Sequence, residues 1–128
     1  MLYTNLKHIE SVEEYERIIS ENEYTMIICG GMGPLCILVY RIVEELGKEY
    51  PHVKFFDMEY ENPEAQVIRN LSEVHGSMEI PFIIYYKNGK VVKATCGIQY
   101  KTHITNILDS IFTETSMDIT KQIQKSKL

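Results

Sequence analysis

Apolar positions along the chain recur with two periods, and the period changes from segment to segment. Residues 2–9 alternate, with Leu2, Thr4, Leu6 and His8 against Tyr3, Asn5, Lys7 and Ile9. That alternation predicts an edge strand. Ser11 and Glu14 then stand at the S-x-x-E spacing of a capping box. Behind them Val12, Tyr15, Ile18 and Ile19 recur as one face of a helix that ends near Asn22. Residues 24–29 form a continuous apolar run, the pattern of a strand buried on both faces in the middle of a sheet. Leu35, Val39, Ile42 and Leu46 follow at i, i+4, i+7 and i+11. Their spacing predicts a helix with Leu35 at the head of its buried stripe. Cys36 then falls about 100° around the axis, on a partly exposed flank.

The second half reads in the same way. Pro51 breaks the chain and residues 53–60 predict a strand. Asn62-Pro63 opens a third helix with Ala65, Val67, Ile68 and Leu71 as its apolar positions. Residues 72–79 are a polar loop containing His75 and Gly76. Pro81 leads into a second buried-type strand over 82–86. Lys87-Asn88-Gly89-Lys90 is a two-residue hairpin signal. Residues 91–96 alternate again, with Val92, Ala94 and Cys96 on one face, and Gly97 ends the run. A last helix over 100–112 carries Ile104, Ile107, Leu108 and Ile111. The order β-α-β-α-β-α-β-β-α predicts an α/β architecture. Its mixed sheet has helices on both faces, with parallel crossovers first and an antiparallel pair last. Residues 1–113 form one domain, and 114–128 a polar C-terminal extension.

Composition narrows the function classes. The balance of 13 basic and 18 acidic residues, net −5, argues against nucleic acid and anionic membrane as partners. No stretch approaches the ~20 apolar residues of a membrane span. No basic-then-apolar leader is visible, so the three cysteines are expected as free thiols of a reducing cytoplasm. His8, His52, His75 and His103 are isolated and lack ligand spacing, so neither metal nor cofactor is expected.

The chemistry concentrates in Cys29-Gly30-Gly31-Met32-Gly33-Pro34-Leu35-Cys36, where a buried strand gives way to a helix. Three glycines free the backbone, and Pro34 suits the first helical position. A thiol in such a first turn is stabilised as thiolate by the unpaired amides and the helix dipole.

Several stretches, in this order and spacing, resemble the thioredoxin family over about residues 2–112. They are Lys48 to Phe55, the acidic strand end from Asp57 to Glu61 with Asn62-Pro63, Ile80-Pro81, Tyr86 to Val92, and Gly97. The resemblance implies a thioredoxin fold with Pro81 in the cis form. It also implies that the backbone before that proline pairs with a substrate in extended conformation. Gly33-Pro34 falls in the middle of the family's Cys-Gly-Pro-Cys site. The two redox cysteines then fall at Met32 and Leu35, the buried carboxylate at Met26 and the usual tryptophan at Gly31.

Two readings follow. In one, Cys36 is an atypical nucleophile with Cys29 as its partner, in a thiol–disulfide redox protein. The family fold would bring all three cysteines to the same end of the sheet. In the other, the domain is redox-inert. It then binds a protein or peptide segment at Met32, Gly33, Pro34, Ile80, Pro81 and Gly97, which form an apolar patch.

Overall fold

The computed structural model describes residues 2–112, and ten elements lie among those residues. They are β1 (Lys7–Ile9), α1 (Val12–Glu21), β2 (Tyr24–Gly30), α2 (Pro34–Leu46), β3 (Lys54–Glu59), a 3₁₀ turn (Pro63–Ala65), α3 (Gln66–Arg69), β4 (Phe82–Lys87), β5 (Lys90–Cys96) and α4 (Lys101–Ile111). The expected 114–128 extension lies outside the described residues. One sheet has the order β1-β3-β2-β4-β5. β3 runs parallel to both β1 and β2, while β4 is antiparallel to β2 and β5 to β4. β2 is the central strand and all its residues are buried, with Thr25 as the polar side chain among its apolar ones.

The pleat divides the core in two. Met26, Ile28, Ile83 and Tyr85 face α2 and α4, packing on Val39, Val43, Leu46, Ile104 and Leu108. Ile27, Cys29, Met58, Phe82 and Ile84 face α1 and α3, against Tyr15, Ile18 and Ile68. Asn88 and Gly89 take φ of 53° and 82°, the paired left-handed values of the hairpin turn their dipeptide signals. Ser11 caps α1, its hydroxyl accepting Glu14 N–H at 3.1 Å. The Glu14 carboxylate reaches back to Glu10 N–H at 2.8 Å, one residue beyond the usual box.

Four expectations need correcting. The strand predicted over 2–9 contracts to Lys7–Ile9. Thr4 folds back instead: its hydroxyl donates to Asp57 and accepts Leu6 N–H, a local alternative to ladder pairing. Residues 2–6 become a strap, with Leu2 buried in the α2 core and Asn5 N–H on Glu44 Oε2 at 2.8 Å. The third helix is only a 3₁₀ turn and one turn of α3. Arg69 turns back to the Tyr60 and Asn62 carbonyls, and the following chain drops Val74 into the core, inside the stretch read as polar loop. In β5 a bulge inserts Val92 between Lys93, opposite Tyr85, and Val91, opposite Tyr86. Val92 is therefore exposed, while Val91, Ala94 and Cys96 pack on the α1 side.

The fourth correction concerns α2. Leu35 is 53% exposed and Cys36 only 3%. The buried stripe is Cys36, Val39, Tyr40, Val43 and Leu46, not the one headed by Leu35. Arg41, Glu44, Glu45 and Lys48 set this phase, since charged side chains must lie towards water and the core face lies opposite them.

Asp57 on β3 is fully buried, its oxygens accepting from the Thr4 hydroxyl and pairing with His8 Nδ1 at 2.6 Å. Burial pushes its pKa up from the ordinary carboxylate value, with Thr4 and His8 opposing the shift. The folded form therefore holds the Asp57 proton to higher pH than the unfolded chain does. Its contribution to stability is full below the unfolded pKa and is lost as pH rises through the folded one. Denaturant midpoints measured across acid pH should decline over that window in the wild type, and Asp57→Asn should remove that component of the decline. Identical profiles for the two proteins would contradict the assignment.

Candidate functional site

Gly30 ends β2 at a point with no room for a side chain. A Cβ there would stand 2.8 Å from Tyr40 Oη, 3.0 Å from Pro81 Cβ and 3.1 Å from Cys36 Sγ. The next residue is held from beneath by the same two α2 side chains. Gly31 N–H donates to Cys36 Sγ at 3.5 Å, and the Tyr40 hydroxyl donates to the Gly31 carbonyl at 2.8 Å. Gly33 is the N-cap and offers no side-chain cap; Pro34 follows at the first helical position, where its missing N–H leaves nothing unpaired. The Gly33 carbonyl accepts Ile37 N–H at 3.0 Å and closes the first turn.

The Ile80–Pro81 bond is cis, and Pro81 is buried against this turn. The Pro81 carbonyl accepts Gly97 N–H at 3.0 Å. Gly97 has φ of 87°, a left-handed conformation in which a side chain would be strained, and Glu79 Oε1 lies 3.0 Å from where a Cβ would be. Met32 is half-buried on the α2 core, its sulfur accepting Tyr3 N–H at 3.4 Å. These contacts bring Met32, Gly33, Pro34, Ile80, Pro81 and Gly97 to one end of the sheet. Around them Leu35, Leu38, Met78, Ile98 and Tyr100 are exposed. Among the described residues, no hydrogen bond engages the peptide groups of Ile80.

The cysteines share the loop end of the sheet but are divided between its two faces. Cys36 lies in the α2 core and Cys29 in the α1 core. Burial pushes the Cys29 thiol up to about 12, against the pull of the Arg69 guanidinium. Cys96 is half-buried and sits two strands from Cys29, both in register with Phe82 between them. That separation is about 10 Å, beyond the reach of a disulfide. All three are free thiols. Among the described residues no group of three His, Cys, Asp or Glu side chains could hold a metal ion.

Against known structures, the chain is similar to thioredoxin from Trypanosoma brucei brucei, at 22% identity and a TM-score of 0.71, over 88% of this chain and 96% of that one. A Plasmodium falciparum thioredoxin matches at 21% identity and a TM-score of 0.71, over 83% of this chain and 99% of the other. This chain has the thioredoxin fold. Among curated proteins, mouse glutaredoxin-3 is 23% identical over 92 residues, which is 70% of this chain. The chain spans about a quarter of that protein's length, 26%. No protein-family model matches the chain.

Within the thioredoxin fold, the first turn of α2 exposes Leu35 and turns its thiol, Cys36, inward. The carboxylate on the α2 side of the sheet is Asp57, across from Ile28 on the neighbouring strand, while Met26 is fully buried and apolar. Sequence reading missed Tyr40, Asp57 and the strap. Tyr40 was findable, because it stands four residues from Cys36 opposite the charged face of α2. The strap was not, because Thr4 is drawn from strand pairing by a residue 53 positions away.

Gly30→Ala should cost about 1–3 kcal/mol by forcing Pro81, Cys36 and Tyr40 apart, read as a lower guanidinium midpoint. An unchanged midpoint would show that the turn is not pressed between them.

Proposed function

We propose that this chain is a redox-inert thioredoxin-fold module. It binds a protein or peptide segment in extended conformation across Met32, Gly33, Pro34, Ile80, Pro81 and Gly97. The observation that carries the reading is the open Ile80 peptide group, which lies beside exposed apolar side chains at a loop with no exposed thiol. An unpaired stretch of extended backbone takes another strand by main-chain hydrogen bonds, and the flanking pockets select its side chains. Leu35 and Leu38 on α2, with Ile98 and Tyr100 beyond Gly97, supply apolar area on both sides of that line. In this reading the tetrad Met32-Gly33-Pro34-Leu35 keeps the shape of the thioredoxin site without its dithiol. The free cysteines suit a reducing compartment such as the cytoplasm.

A thiol–disulfide reading through Cys36, with Cys29, has in its favour the gathering of three cysteines at the loop end. Burial weighs against it. A thiolate must reach a disulfide to attack it. Cys36 is sealed beneath Gly30 and Gly31, and Cys29 opens to the opposite core with a raised pKa.

Two measurements separate the readings. Insulin-disulfide reduction should stay at background for the wild type and for Cys36→Ser, and turnover that depends on Cys36 would overturn the inert reading. Leu35→Asp, on an exposed position, should leave thermal stability within about 0.5 kcal/mol of wild type while abolishing peptide capture. Undiminished capture would remove Leu35 from the surface.

A further inference from the structure

The chain has six methionines, and Met1 and Met117 lie outside the described residues. Burial sorts the other four. Met26 and Met58 are fully buried, one in each half of the core. Met78 is 89% exposed and Met32 is half-buried. Both accessible thioethers therefore stand at the docking surface. Met32 belongs to it, and Met78 lies two residues before Ile80, whose peptide groups are open. The two segments meet at Gly31, where a Cβ would stand 4.0 Å from Ile80 Cδ1. Met32 also has a backbone donor in place, because Tyr3 N–H donates to its sulfur at 3.4 Å. A thioether is a weak acceptor, whereas the oxygen of a sulfoxide is a strong one.

We propose that Met32 and Met78 are an oxidation switch on the docking surface, with hydrogen peroxide as the oxidant. A sulfur lone pair attacks one peroxide oxygen. The S–O bond forms as the O–O bond breaks, and the displaced hydroxide takes up the proton of the transferred oxygen and leaves as water. The sulfur gives up two electrons and the peroxide takes them. A dithiol reverses the step through a methionine sulfoxide reductase. It supplies two electrons and two protons, the oxygen leaves as water, and the dithiol becomes a disulfide. Each sulfoxide puts a polar group where the surface offered an apolar one, so the bound segment is released. At Met32 the new oxygen meets the Tyr3 N–H, which holds the oxidised side chain to the strap and off the docking line. Met26 and Met58 are sealed from peroxide, so the core keeps its packing. This inference rests on the peptide-binding reading of the Pro34 and Pro81 surface and adds its regulation.

The test exposes the folded full chain to limiting hydrogen peroxide and places the added oxygen by mass spectrometry. Binding is read by fluorescence anisotropy with a labelled peptide selected from a random display library on the immobilised wild type. Met78 should oxidise first and Met32 next, while Met26 and Met58 stay reduced until the protein unfolds. The oxidised chain should bind the peptide about tenfold more weakly with an unchanged circular dichroism spectrum. Methionine sulfoxide reductases with dithiothreitol should restore binding. Dithiothreitol alone should not, because it reduces oxidised cysteines and leaves sulfoxides. The double variant Met32→Leu with Met78→Leu keeps the side-chain volumes and removes both sulfurs. Measured against its own untreated affinity, it should no longer respond to peroxide. A response that persists in that variant, recovery with dithiothreitol alone, or full affinity with both methionines oxidised overturns the switch and leaves the docking surface standing. Oxidation of Met26 or Met58 ahead of Met32 does the same. Failure of the library to enrich any peptide on the wild type over Leu35→Asp overturns the peptide-binding reading and the switch with it.

Discussion

Gly30 is the point on which the loop end of this molecule is assembled. The last residue of the central strand meets a helix hydroxyl, a helix thiol and a proline ring, each within about the distance that a methyl group would need. That close approach fixes three segments relative to one another: the turn into α2, the chain before β4, and α2 itself. The Tyr40 hydroxyl and the Cys36 sulfur then each hold one peptide group of Gly31, so the turn is braced from the core side. Gly97 N–H, bonded to the Pro81 carbonyl, ties in the end of β5. The surface offered to solvent, from Ile80 across Pro34 to Leu35, is the outer skin of this contact.

The same packing decides what the cysteines can do. In a first helical turn a thiol is chemically favoured as a nucleophile only if a substrate can approach it. Here the helix is rotated so that Leu35 faces water and the Cys36 sulfur faces inward, under two glycines. The sulfur is a packing atom and a weak hydrogen-bond acceptor, which is the commoner fate of a buried cysteine. The residue turned outward in the same turn is Leu35, which is apolar.

That phase is also where reading from sequence reached its limit. The strand–helix alternation, the central position of residues 24–29, the Ser11 cap and the Asn88-Gly89 hairpin were all legible. Each rests on a local preference that the fold does not oppose. α2 is different: it carries apolar residues nearly all the way round, with Leu35, Ile37, Leu38 and Ile42 outside the buried stripe. An apolar count could not choose between the two stripes, while Arg41, Glu44, Glu45 and Lys48 could. Choosing by Leu35 exchanged the exposed residue for the buried one and so misplaced Cys36. The Val92 bulge and the strap were hidden for another reason. Both are set by partners distant in sequence, and alternation within a segment holds no record of a bulge in its pairing.

The central claim is that the Cys36 sulfur is sealed within the α2 core. Alkylation of the native protein with iodoacetamide, quenched over time and mapped by mass spectrometry, tests it most directly. Half-buried Cys96 should label first, and Cys29 and Cys36 should label together, only at the rate of unfolding and readily in denaturant. Labelling of Cys36 in the native protein at the rate of an exposed thiol would contradict the account. It would put the sulfur at the surface and return the turn to thiol chemistry.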